Sequence, residues 1–66
     1  MEIILNGVAK QVSQQSSIKD LLMEIGMLGG RVAIELNQEV LPKSEYASRQ
    51  LQAADKIEII QAVGGG

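Results

Sequence analysis

The sequence predicts an α+β fold in which one main helix packs on one face of a mixed sheet of four to five strands. Three observations carry that prediction. Asn6-Gly7 lies between the β-prone runs "EIIL" and "VAKQV", and both turn residues tolerate the positive φ that a two-residue hairpin requires. Ile18, Leu21, Leu22 and Ile25 recur at i, i+3, i+4 and i+7, the spacing of a helix with a single apolar face. Later segments alternate: Val32, Ile34 and Leu36 oppose Arg31, Ala33 and Glu35, and Ile57, Ile59, Gln61 and Val63 oppose Glu58, Ile60 and Ala62. Alternation of this kind marks half-buried strands.

The hairpin places strands at Glu2 to Leu5 and Val8 to Val12. In "SSIKDLLMEIG", Ser17 is positioned to cap the free amides of the helix, with Asp20 as the acidic member of a capping box and Gly26 as the left-handed residue that ends it. Gly29-Gly30 then serves as a turn into the strand "RVAIELN"; it lacks the spaced glycines, the Lys and the Ser or Thr of a phosphate-binding loop. A short extended piece at Val40 and Leu41 is stopped by Pro42, as suits an edge strand, and Ser44 starts a turn of helix through Tyr46. The last strand, "KIEIIQAV", runs into Gly64, Gly65 and Gly66.

At 66 residues the chain is one domain, and a domain this small buries only about 60% of the surface its unfolded form exposes. There is no Phe or Trp and one Tyr among 45% hydrophobic residues, so the core is built from aliphatic side chains. Cys and His are both absent, which removes disulfides, thiolate metal sites and imidazole chemistry. The net charge of -2 has the wrong sign for holding a phosphate backbone, and the six basic residues are scattered without an aromatic platform, so no nucleic-acid partner is expected. "MEIILNG" is too short and too acidic for a signal peptide, and no spanning segment follows; no membrane association and a cytoplasmic location are the expectations. Glu35, Glu39, Glu45, Asp55 and Glu58 sit in no catalytic motif and read as solvated positions, while Met23 and Met27 read as packing residues.

A helix between a hairpin and later strands covers one sheet face, and a right-handed crossover brings the last strand beside the first in parallel. That arrangement is a β-grasp, the ubiquitin-like architecture, over residues 1–63, with 64–66 as a flexible glycine tail. If Ile3, Leu5, Ile57 and Ile59 face the helix, then Ile4, Ala33, Ile60 and Ala62 point to the open face. They form a candidate partner-binding surface; sheet twist, edge shielding or a crossed register would equally account for them.

"MEIILNG", "IKDLLMEIG", "VAIELNQEVLPKSEY", "ADKIEII" and the terminal "VGGG" together resemble the small sulfur carrier proteins of thiamin biosynthesis. The resemblance covers nearly the whole chain and rests on the order of the segments with the diglycine end. One departure is visible: members of that family often have Gly-Asp before the last strand, where this chain has Ala54-Asp55.

The resemblance implies a protein co-substrate and not an enzyme. Gly66 would be adenylated on its carboxylate and converted to a thiocarboxylate, with Val63, Gly64 and Gly65 presenting it to partners. No cofactor bound by the chain itself is implied; ATP enters through an adenylyltransferase of the ThiF type. A persulfide donor supplies the sulfur, and a thiazole synthase of the ThiG type receives it. Glycine suits the task because a backbone without Cβ threads a narrow channel. A frayed end is the competing explanation of the three glycines. Two other functions are weighed: the small subunit of molybdopterin synthase, with the same thiocarboxylate chemistry, and a non-carrier β-grasp module that binds a ligand or RNA.

Overall fold

The computed structural model describes residues 1–61. Over that range the chain forms β1 (Glu2–Leu5), β2 (Val8–Gln11), α1 (Ile18–Glu24), β3 (Val32–Leu36), β4 (Glu39–Leu41), a 3-10 turn (Lys43–Glu45) and β5 (Lys56–Gln61). The strands make one five-stranded sheet in the order β2-β1-β5-β3-β4. β5 pairs parallel to β1 and antiparallel to β3, so the last strand in sequence is the central strand in space.

Local chemistry explains each element. Asn6 and Gly7 adopt φ of 49° and 81°, the left-handed pair that matches the twist of the flanking strands. The helix starts with a full capping box: the Asp20 amide donates to Ser17 Oγ at 3.0 Å, and the Ser17 amide donates to Asp20 Oδ2 at 2.9 Å. Its far end is a Schellman motif. Gly26, at φ 77°, donates its amide to the Met23 carbonyl at 3.2 Å, and Met27 donates to the Leu22 carbonyl at 2.8 Å, so two carbonyls that the helix leaves open are satisfied. Ile25 is the C-cap and not a helical residue.

The core is the predicted aliphatic cluster. Ile3, Ile18, Leu21, Leu22, Ile34 and Ile57 are each at most 1% exposed, and Val12, Leu36, Tyr46 and Leu51 complete the buried set. Leu5 and Ile59 share the helix side but are only partly buried. Each fully buried aliphatic side chain contributes roughly 1.5–3 kcal/mol. Val12 lies one residue past β2, yet it is buried, and its amide donates to the Met1 carbonyl at 2.9 Å.

Three findings go beyond the sequence reading. Asn37 and Gln38 form a second left-handed pair, with φ of 52° and 71°, and join β3 to β4 as a hairpin that includes Glu39. The segment from Pro42 to Asp55 delivers Tyr46 and Leu51 to the core. It also satisfies the helix start: Ile18 and Lys19 donate their amides to the carbonyls of Arg49 and Tyr46 at 3.1 and 2.9 Å, and Leu51 donates to the Ser16 carbonyl at 2.7 Å.

Candidate functional site

β5 leads to the residues that the sequence singles out, and side chains from both hairpin turns hold it in place. Ile59 donates its amide to Asn6 Oδ1 at 2.8 Å, and the Asn6 amide donates to the Ile57 carbonyl at 2.8 Å. From the other side, Lys56 donates its amide to Asn37 Oδ1 at 2.9 Å, and Asn37 Nδ2 donates to Asp55 Oδ1 at 3.1 Å. Each asparagine therefore does two jobs: it takes the left-handed turn conformation, and it bonds the strand its hairpin packs against.

Asp55 corrects one expectation. It is 6% exposed, not solvated; its Oδ2 accepts the Gln52 amide at 2.8 Å and faces the Arg49 guanidinium at 3.7 Å. A buried carboxylate needs such partners, and these make Asp55 a structural clasp ahead of β5. Ala54, beside it, stands at φ 70°, where a side chain costs about 1–2 kcal/mol. The turn before β5 is thus made in a glycine conformation without glycine. Glu39, Glu45 and Glu58 are exposed, and Glu35 is half-buried. Among the described residues no group of three or more acidic, Cys or His side chains is placed to hold a metal ion, and no helix is long and apolar enough to cross a membrane.

The open face divides into two apolar ends. Ala33 lies directly opposite Ile60 across the β3–β5 pair; Ala33 is exposed and Ile60 is 53% exposed. Ile4 is half-buried and opposite Lys56, four residues before Ile60, which places it roughly 13 Å away at strand rise. Glu58 lies between, opposite Glu35, and Val40, 73% exposed, is the neighbour of Glu35 on β4. The structure thus brings Ala33 and Ile60 together and leaves Ile4 apart. Val40 joins this face through the second hairpin, whose Asn-Gln turn is a weaker sequence signal than Asn-Gly. Gln61, opposite Val32, is the last described residue of β5. Ala62, Val63, Gly64, Gly65 and Gly66 lie outside the described residues.

A mixed five-stranded sheet of this order, with one helix on one face and the other face open, is a β-grasp domain of the ubiquitin-like type. Comparison with known proteins narrows the class. The family model described as ThiS family matches residues 3–66. The chain is 38% identical over all 66 residues to a thiazole synthase of Paramagnetospirillum magneticum, of which it spans 20% of the length. It is 36% identical over 63 residues to the sulfur carrier protein ThiS of Bacillus subtilis, covering 94% of this chain and 96% of that one. The crystal structure of the thiamine biosynthesis protein ThiS from Geobacter metallireducens matches with a TM-score of 0.85 at 26% identity, covering 100% of both chains. The chain belongs to the ThiS family.

Proposed function

We propose that Gly66 is the reacting residue and that the chain carries sulfur on its carboxyl group as a thiocarboxylate. A carboxylate is a poor acyl electrophile. Attack of one of its oxygens on the α-phosphorus of ATP, in an adenylyltransferase of the ThiF type, expels pyrophosphate and leaves an acyl-adenylate. The terminal sulfur of a persulfide then attacks the acyl carbon, AMP departs with its oxygen, and a thiol cleaves the resulting sulfur–sulfur bond. The thiol takes the donor's sulfur into a disulfide and leaves the thiocarboxylate on Gly66. In this scheme the chain is substrate to other proteins' active sites and binds no cofactor of its own. Residues 1–63 act as the recognition domain, and Gly64 and Gly65 carry the carboxyl group into the partner's channel.

The observation that supports this best is the match of the family model as far as residue 66, where the sequence reads "VGGG". A thiazole synthase of the ThiG type is the proposed acceptor: two relatives named thiazole synthase contain a segment similar to this whole chain within proteins about five times its length, each covered to 20%. The exposed Ala33–Ile60 pair, with Ala62 beyond it, is the proposed contact surface, and Ile4 its distant second point.

Intact-mass measurement tests the scheme. Chain incubated with the adenylyltransferase, ATP and a persulfide donor is expected to gain about 16 Da, and fragmentation must place the gain at Gly66, because methionine oxidation adds nearly the same mass. Deleting Gly66 is expected to abolish pyrophosphate exchange and thiocarboxylate formation while leaving the melting temperature unchanged. Displacing the carboxyl group by one residue, roughly 3.3 Å, takes it out of attacking distance. A deletion that keeps full exchange would overturn the assignment.

A further inference from the structure

We propose that the groove beside α1 binds a small organic anion with an apolar body, such as a medium-chain carboxylate or alkyl phosphate. The groove has a volume of about 420 Å³ and runs beside α1 from Lys19 in its first turn to the loop that follows the helix, with the 3-10 turn on its other side, a size within the range of small-ligand sites. Leu22, Met27 and Tyr46 form its apolar wall. Leu28 lines the groove with 46% of its surface exposed, so among the described residues its apolar lining reaches water.

The charged groups choose the sign of the occupant. Lys19 and Lys43 both line the groove, and no Asp or Glu does. The ion pairs among the described residues are Lys10–Glu24 and Arg49–Asp55, so neither groove lysine is neutralised by a carboxylate there. Lys43 also borders a shallower groove with Arg31, which sets a third cation near the same rim. A helix carboxy end ordinarily disfavours an anion. Here the Leu22 and Met23 carbonyls are already occupied by the amides of Met27 and Gly26, which removes part of that opposition and fixes the shape of the wall. An alkyl chain would displace water from Leu28 and Met27 while its oxyanion head pairs with the lysines, each contribution too small alone to hold a ligand.

The test is a titration of the full chain with octanoate, octyl phosphate and octanol, followed by amide chemical shifts. Both anions are expected to give saturable shifts at Leu28, Gly29, Gly30 and Ala47, with dissociation constants on the order of 1 mM, and octanol is expected to bind at least about 10-fold more weakly. Tighter binding of octyl phosphate than of octanoate marks a phosphate head as the preferred form, and the reverse order marks a carboxylate; either order supports the anion site. Lys19→Gln and Lys43→Gln are each expected to weaken the anions by about 2- to 5-fold without changing octanol. Leu28→Asp, at an exposed position, is expected to abolish anion binding with the spectrum otherwise native. Equal affinity for octanol, shifts centred on the open sheet face, or no saturable shift by about 10 mM would overturn the proposal.

Discussion

The two faces of the sheet are made by the same strands and have different fates. On the helix side, Ile3, Ile34 and Ile57 are at most 1% exposed. An odd number of residues away on the same strands, one from Ile3 and from Ile34 and three from Ile57, Ile4, Ala33 and Ile60 range from half-buried to exposed. Alternation alone separates them, so neighbouring isoleucines in "EIIL" and "EIIQ" answer to different demands. The helix-side residues hold the fold together. Those on the open side contribute little to it and remain available for another molecule.

Substitutions on the two faces can break this contrast. The largest loss is expected from Ile34→Ala or Ile57→Ala, about 2–5 kcal/mol in a urea melt, because a core without Phe or Trp has little capacity to close the cavity. A loss below about 0.5 kcal/mol would mean that the helix-side assignment is wrong. Asp55→Ala comes next, at about 1–3 kcal/mol, since it leaves the Gln52 amide and Asn37 Nδ2 without their acceptor. Asp55→Asn is expected to recover part of that loss, and a neutral result for both variants would remove the clasp. Ala54→Gly is expected to gain about 0.5–1 kcal/mol by relieving the left-handed alanine; destabilisation would contradict its positive φ. The smallest stability change, within about 0.5 kcal/mol, belongs to Ile60→Asp on the open face. Its effect is expected in partner binding, where an acid in an apolar contact lowers affinity by at least about 10-fold, measured by titration with the proposed adenylyltransferase partner. Unchanged affinity would remove Ile60 from the contact.

Much of this was legible in the sequence where a residue type and a geometry have few alternatives. Asn6-Gly7, the Ser17–Asp20 box and the Gly26 stop mark their elements because each satisfies a backbone need that few residues can meet. The second hairpin was harder to read, because Gln38 seldom adopts positive φ and only its position between two paired strands holds it there. Tyr46 and Leu51 lie in a segment without period, so their burial depends on the helix they meet. Asp55 looked like a surface acid because its partners, Arg49 and Asn37, are six and 18 residues away. The parallel register that sets Ile4 opposite Lys56, and so separates Ile4 from Ile60, is fixed by contacts across the whole chain and has no local signature.

The central position of β5 also decides when the domain can exist. The two hairpins meet only through this strand, and the bond from Ile59 to Asn6 spans 53 residues. Such long closures slow folding and couple it to the whole topology. During synthesis, β1–β2, α1 and β3–β4 emerge first, each with apolar residues that have no central strand to pack beside. A growing chain is therefore expected to stay protease-sensitive until residue 61 has cleared the ribosome and then to acquire its protection in one step. The domain thus becomes able to fold only after its central strand, the last of the described elements, has been made.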